Sequence, residues 1–168
     1  AERVASVEGP WTIEFEENRG GPKEPVKTDV LFDWMESENP QIKYFSGNAV
    51  YKTTFTINQL PESPTYIDLG KVMVMAKVRV NGQYAGGVWT TPYQVNVTQL
   101  LKEGVNELEV EVVNCWRNRM IGELSMPEEE RFTFHSASNV KPDCPMQSSG
   151  LLGPVQLVSY PYEMVTIK

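Results

Sequence analysis

The feature that most constrains this chain is an alternation of apolar and polar residues with a period of two. In residues 107–112 every second residue is apolar and every other one is glutamate. Successive side chains of a strand point to opposite faces, so this pattern indicates a strand buried on one face only. The same alternation recurs in residues 51–57 and 76–80. These three segments predict half-buried β-strands.

Shorter segments extend this pattern along the chain. Asn81 and Gly82 follow the strand at 76–80, and both tolerate the positive φ of a tight turn, so we predict a hairpin there. Further strands are predicted at residues 11–15, 65–69, 94–97, 155–159 and 163–167. Many short strands without a long helix predict an all-β sandwich or barrel.

The remaining segments are turns and loops. Only residues 98–102 have helical character, with Thr98 as a cap and Gly104 beyond the end, and their length allows a single turn. Residues 18–28 and 136–149 are rich in glycine, proline, serine or charged residues, so we predict loops there.

Length and charge limit the classes of protein to consider. A chain of 168 residues fits one domain, so we expect a single domain spanning residues 1–168. The 22 acidic residues outnumber the 15 Lys and Arg residues, and the net charge of −7 makes nucleic acid an unfavourable partner. No segment has the apolar length of a membrane span. The chain starts at Ala1 with neither an apolar leader nor an initiator methionine, so we expect it to be processed or excised from a longer protein.

Catalytic groups are sparse. The single histidine, His135, has no nucleophile partner in a recognisable motif, and we favour a structural role for it. Glu123 with the glutamates at 128–130 is a candidate pair for glycoside hydrolysis, which needs two carboxyl groups. Three adjacent glutamates are more typical of a solvated turn, and we favour that interpretation.

Metal and disulfide sites are weakly indicated. Cys115 and Cys144 allow one disulfide, but neither has zinc-ligand spacing, and we favour two free thiols. Loop aspartates are candidate calcium ligands, although no EF-hand spacing is present, so we predict no metal site and no cofactor. These aspartates are Asp29, Asp33, Asp68 and Asp143.

Aromatic residues in or beside the turns are more informative. They are Trp34, Tyr44, Phe45, Trp89, Tyr93 and Trp116. A pyranose has an apolar C–H face that stacks on an aromatic ring, while its hydroxyls need convergent polar groups. Candidate polar groups are Asn114, Arg117, Asn118 and Arg119. For any single ring, the competing interpretation is that it closes one end of the core.

Five motifs occur in a fixed order: YFSGNAVY at 44–51, DLGKV at 68–72, VRVNG at 78–82, WTTPY at 89–93 and VTQLLKEGVNEL at 97–108. In this order the motifs resemble the sugar-binding domain of family 2 glycoside hydrolases, which is a galactose-binding-like β-sandwich. Three later motifs resemble the C-terminal domain of family 106 α-L-rhamnosidase-like proteins. These are VNCWRNRMIGE at 113–123, ERFT at 130–133 and SGLLGPV at 149–155.

The resemblance implies an antiparallel, jelly-roll β-sandwich that assists catalysis without performing it. In such enzymes the catalytic carboxylates usually lie on a separate, larger domain. The implied partners are carbohydrate and that catalytic domain, and the implied location is periplasmic or extracellular, as in bacterial polysaccharide-degrading enzymes. We therefore expect Trp34, Trp89, Tyr93 and Trp116 to be aromatic sugar contacts and Arg119 to be a polar one. The alternative is a purely structural interdomain module, with the same rings buried in its core or at the interface.

Overall fold

The computed structural model describes residues 2–134 and 139–161. Within this part of the chain the secondary structure is mainly β-strand, with two short helices. The strands are β1 (Glu2–Ser6), β2 (Trp11–Phe15), β3 (Val26–Thr28), β4 (Asn48–Ile57), β5 (Thr65–Asp68), β6 (Lys71–Met73), β7 (Met75–Val80), β8 (Gln83–Val88), β9 (Gln94–Asn96), β10 (Gly104–Val113), β11 (Gly150–Gly153) and β12 (Gln156–Ser159). The helices are α1 (Pro40–Lys43) and α2 (Arg117–Glu123), and short 3₁₀ turns form at Glu17–Arg19, Trp34–Glu36 and Glu128–Glu130.

The strands form antiparallel sheets, which confirms the predicted all-β sandwich. The larger sheet has six strands in the order β3, β2, β4, β10, β7, β8, and the second has four in the order β1, β12, β5, β9. A small third sheet pairs β11 with β6. The predicted hairpin is also confirmed, because Asn81 and Gly82 connect β7 to β8 with φ values of 51° and 76°.

The central strands of the larger sheet carry the alternation seen in the sequence. β10 pairs with β4 along its whole length, from Gly104 opposite Ile57 to Val113 opposite Asn48. In both strands the predicted apolar face is buried, while the glutamates of β10 face outward. Most of the buried apolar side chains of the described residues form one core cluster, to which both large sheets contribute.

Two of the local predictions need comment. The prediction of a helical segment at residues 98–102 is wrong, because only a turn forms there, at residues 98–100. The buried Asn106 side chain bonds both the N–H and the carbonyl of Lys102, and this holds the chain in a turn that leads into β10. The strand predicted at 163–167 lies outside the described residues. In the described part of the chain, no helix combines the length and apolar character of a membrane span.

Candidate functional site

One end of the six-stranded sheet gathers the segments that carry most of the expected site residues. Phe15 pairs with Ala49, and Val113 pairs with both Asn48 and Met75. Strands β2, β8 and β10 therefore end here, while β4 and β7 begin here. We call this region the loop end of the sandwich, and α2 follows β10 within it.

Asn114 and Asn118, which were candidate sugar contacts, instead hold the loop end together. Asn114 Nδ2 donates to the Phe45 carbonyl at 2.8 Å, and its Oδ1 accepts from the Gly47 N–H at 3.1 Å. Asn118 bonds the carbonyl and the N–H of Gln147 at 2.6 and 2.8 Å. Both side chains are buried, and these bonds to the main chain fix the position of α2.

The Glu123 carboxylate fastens the segment that follows α2. It is buried and accepts from the backbone N–H groups of Phe132 and Thr133, each at 3.1 Å, and from the Thr133 hydroxyl. Arg119 Nε lies 3.8 Å from Glu123 Oε1. Both carboxylate oxygens are thus engaged in ordering residues 132–133. The glutamates at 128–130 are exposed, in line with the predicted solvated turn.

Beside Glu123, two arginines and two aromatic rings border a groove of about 200 Å³. Its lining includes Arg19, Ser46, Trp116, Arg119, Phe132 and Thr133, and we call it the Trp116 groove. The guanidinium carbon of Arg19 lies 5.8 Å from the centroid of the Trp116 ring, and that of Arg119 lies 5.3 Å from the Phe132 ring. The groove thus combines aromatic surface with positive charge.

Arg119 anchors this arrangement. Its side chain is almost buried, and its guanidinium donates to the Arg19 carbonyl, which joins α2 to the turn after β2. Burial lowers the pKa of Arg119, and the Glu123 charge partly opposes this effect. An arginine stays protonated under such conditions, so the groove keeps its charge. Trp116 and Phe132 are 49% and 62% exposed, and both offer ring surface to solvent.

A second cavity of about 390 Å³ adjoins the groove, and Arg119 and Phe132 line both. Its other walls include Tyr44, Gly122 and Met126. Gly122 is needed for this close packing, because a Cβ there would lie 2.5 Å from the Tyr44 ring. The loop end therefore presents two neighbouring concavities, with Arg119 and Phe132 between them.

The expectation for Trp34 is wrong, because its ring lies in the core and is 0% exposed. Its indole N–H donates to the Tyr51 hydroxyl at 2.7 Å, and the two rings stack with an angle of 6° between their planes. Phe15 and Phe45 pack edge-on against it. Gly150 also touches the ring, since a Cβ there would lie 2.7 Å from the indole nitrogen. No face of Trp34 remains for a sugar.

Trp89 and Tyr93 lie in the turn between β8 and β9, outside the two cavities just described. Trp89 is 71% exposed, and it follows Val88 at the loop end. Tyr93 is only partly exposed and packs against the core, while its carbonyl accepts from the Leu69 N–H at 2.9 Å. The structure thus brings Trp116 and Arg119 together and leaves Trp89 and Tyr93 in a separate turn.

The candidate metal ligands Asp33 and Asp68 accept hydrogen bonds from nearby groups, and the two cysteines are not joined. Asp33 accepts from the N–H groups of Met35 and Ser149, and Asp68 accepts from the Gly70 N–H and the Gln94 amide. Cys115 and Cys144 are free thiols. No metal-binding group of three or more His, Cys, Asp or Glu side chains occurs within residues 2–134 and 139–161. His135 lies outside these residues.

Of the residues that line the groove, only Trp116 and Arg119 were predicted from the sequence, and Arg19 and Phe132 are the most important of those that were missed. Arg19 belongs to a segment that was predicted only as a loop, and its pairing with Trp116 joins residues 97 positions apart. Phe132 stands between the polar residues Arg131 and Thr133, and with Phe134 it places two aromatic rings in a polar segment, which was the available signal. The long-range contacts themselves have no signature in the sequence.

The antiparallel sandwich of these sheets is consistent with the class of galactose-binding-like β-sandwich domains. The chain matches the family described as glycosyl hydrolase 2 galactose-binding domain-like over residues 26–142. It belongs to this family, as the motifs at 44–108 predicted.

The similar proteins are much longer than this chain. A Formosa agariphila protein described as a candidate β-glucuronidase is 34% identical over 89% of this chain. A rhamnosidase from Novosphingobium sp. PP1Y is also 34% identical, covers 93% of this chain and superposes with a TM-score of 0.86. In both cases the chain spans only 15% of the relative's length. A β-glucuronidase from Ruminococcus gnavus shares the fold with a TM-score of 0.66. The two sequences are 18% identical, and the match covers 95% of this chain and 29% of the β-glucuronidase chain.

Proposed function

We propose that residues 1–168 form one non-catalytic accessory domain of a larger glycoside hydrolase, and that the Trp116 groove contacts carbohydrate. The groove carries this proposal, because it combines exposed aromatic rings with polar and charged groups in a concave surface. Sugar sites need this combination, since the ring stacks while the hydroxyls bond to polar side chains.

The groove has a size suited to a single sugar residue. Its volume of about 200 Å³ is below the range of roughly 300–1,000 Å³ that is typical of pockets for drug-sized ligands. The neighbouring cavity of about 390 Å³ offers room for the next residue of an oligosaccharide. Trp89 lies at the same end of the sheet, and we propose Trp89 and the partly buried Tyr93 as additional aromatic contacts.

The rest of the proposed enzyme would supply the catalytic groups. The chain spans 15% of two glycoside hydrolase relatives, and its own Glu123 is occupied by loop contacts. We propose a periplasmic or extracellular bacterial enzyme that degrades polysaccharides, with this domain packed on its catalytic domain.

The test is to titrate the chain and the full product of its gene with plant and bacterial oligosaccharides by calorimetry, after a glycan array has selected them. We expect Trp116→Ala to weaken binding at least 10-fold. Tyr84→Ala is the matched control, because Tyr84 is also exposed and also lies 5.8 Å from an arginine, Arg79, but on the outer edge of the sheet. It should leave binding unchanged.

Trp89→Ala measures the extent of the site. A loss of affinity would extend the contact surface to the turn between β8 and β9, and unchanged affinity would confine it to the groove. If neither the chain nor the full product binds any sugar of the array, the carbohydrate role is wrong.

A purely structural module is the second candidate, and exposed apolar residues after α2 favour it. Met126, Phe132 and Phe134 are 37%, 62% and 95% exposed. Residues of this kind are typical of surfaces that dock against another domain. Under this alternative, Phe134→Ser lowers the melting temperature of the full gene product and leaves that of the isolated chain unchanged, and Trp116→Ala leaves sugar affinity unchanged.

A further inference from the structure

The Trp116 groove is positively charged within an acidic chain. The whole chain has a net charge of −7, yet two of the groove's lining side chains are arginines and none is acidic. Local charge of the opposite sign in a concave surface attracts a ligand of the opposite charge. The groove is therefore suited to an anion.

The two arginines differ in how far their charge is already balanced. Arg119 has Glu123 beside it and donates to the Arg19 carbonyl. Arg19 is exposed, and within the described residues its guanidinium lies over the Trp116 ring. Its guanidinium has no carboxylate partner within the described residues. Arg19 thus has donors to offer to a ligand.

Two carboxylates near the groove, those of Glu123 and Glu16, already accept hydrogen bonds. Glu123 bonds residues 132–133, as described above. Glu16 lies near Arg19, but its two oxygens accept from the N–H and the amide of Asn48, at 2.8 and 3.3 Å. Neither acid forms an ion pair with Arg19. An anion from outside would therefore meet an Arg19 guanidinium that is not ion-paired within the described residues.

We propose that the Trp116 groove recognises an acidic sugar residue, whose carboxylate or sulfate group is bound by Arg19 with support from Arg119. The pyranose ring lies against Trp116, and the Ser46 and Thr133 hydroxyls accept from its hydroxyl groups. Guanidinium groups bind such oxyanions through paired hydrogen bonds, which a neutral sugar cannot replace. This inference rests on the proposed function and adds the class of sugar.

The experiment compares three disaccharides by calorimetry: one containing glucuronic acid, its carboxyl-reduced neutral counterpart, and a sulfated counterpart of the neutral form. We expect at least one acidic form to bind 10-fold or more tightly than the neutral form, and this preference to weaken between 50 and 500 mM salt because exposed charges are screened. The acidic form that binds more tightly identifies the anion as carboxylate or sulfate.

Variants test which residue binds the carboxylate or sulfate group. We expect Arg19→Gln to reduce affinity for the acidic sugar at least 5-fold and to leave affinity for the neutral sugar unchanged, with Arg19→Lys intermediate. Arg79→Gln is the matched control, because Arg79 stacks on Tyr84 at the same 5.8 Å but outside the groove. It should have no effect.

The outcomes separate this inference from the proposed function. Equal affinity for the neutral and acidic forms, or an unchanged preference in Arg19→Gln, overturns the acidic specificity while the carbohydrate role stands. Absence of binding to every sugar, in both the chain and the full gene product, overturns the carbohydrate role as well.

Discussion

The surroundings of Trp34 and Trp116 differ completely, although both tryptophans lie beside turns in the sequence. Trp34 is fully buried, and its indole N–H donates to the Tyr51 hydroxyl. Trp116 is 49% exposed, and its ring is covered in part by the charged side chain of Arg19. One ring supports the core, and the other forms part of a surface groove.

The anchoring of the flanking backbone explains this difference. Asp33 caps the turn that contains Trp34 and also accepts from the Ser149 N–H, while the backbone N–H of Trp34 donates to the Ser149 carbonyl. The chain on either side is thus fixed to a buried segment, and the ring points into the core. Trp116 immediately precedes α2, which buries Asn118 and Ile121, while the Trp116 ring remains at the surface.

The largest loss of stability is expected from a substitution in the core, at the central strand β10. Val112 is buried in β10, and Val112→Asp places an unpaired carboxylate in the core at a cost on the order of several kcal/mol. Such a loss should unfold a domain of ordinary stability. Val105→Asp is the control, because Val105 is 56% exposed in the same strand. Equal thermal stability of the two variants would show that the assigned faces of β10 are wrong.

Trp34→Ala tests the core ring directly. Removing a buried tryptophan costs about 3–5 kcal/mol, because packing is lost and a cavity remains. Urea denaturation followed by circular dichroism gives this loss as a lower midpoint. Trp34→Phe keeps a ring without the donor to Tyr51 and should lie between wild type and Trp34→Ala. A loss below about 1 kcal/mol in Trp34→Ala would contradict the assigned burial.

Tyr51→Phe removes the acceptor shared by Trp34 and the Leu151 N–H. Leaving these buried donors unpaired should cost about 1–3 kcal/mol at pH 7. Burial raises the pKa of Tyr51 in the folded protein above its ordinary value of 10.0. The unfolded chain therefore loses this proton first, and wild-type stability falls as the pH rises above 10.

Because phenylalanine does not titrate, the stability advantage of wild type over Tyr51→Phe should shrink above pH 10. Denaturation curves recorded between pH 8 and pH 11 measure this difference, with the exposed Tyr84→Phe as control. A constant difference over that range would contradict the buried environment of the Tyr51 hydroxyl.

Glu123→Gln tests the connection between α2 and the groove. The amide keeps one acceptor and loses the charge beside Arg119, so we expect a cost of about 1–2 kcal/mol and faster hydrogen exchange at Phe132 and Thr133. Glu129→Gln, in the exposed turn, should change neither quantity. Unchanged exchange at both amides would show that Glu123 does not order this segment.

Much of the fold was predictable, because alternation acts locally. Strand β2 was predicted with its observed bounds, and the faces of β4 and β10 follow from their residues. The short strands β3, β6 and β11 were missed, since three or four residues give too few repeats to establish a period, and β1 was missed because its side chains do not alternate between buried and exposed. Helix α2 was missed for the same reason, because seven residues span only two turns.

The site was predictable only in part. Trp116 and Arg119 lie three positions apart, and a helical turn brings them to the same side. Arg19 comes from a loop after β2, and only the pairing of β2, β4 and β10 brings that loop to α2. The burial of Trp34 likewise depends on Ser149 and Gly150, which are more than 100 residues away.

Trp116→Ala tests the surface ring of the Trp34 and Trp116 pair, and it should have the smallest effect on stability. Half of the ring is exposed, and its stacking with Arg19 is worth about 0.5–1 kcal/mol, so the total loss should stay near 1 kcal/mol. The same variant should lose sugar affinity, which Trp34→Ala cannot test independently of unfolding. If Trp116→Ala instead destabilises the isolated chain as much as Trp34→Ala does, the ring is part of the core and the groove is not a binding surface.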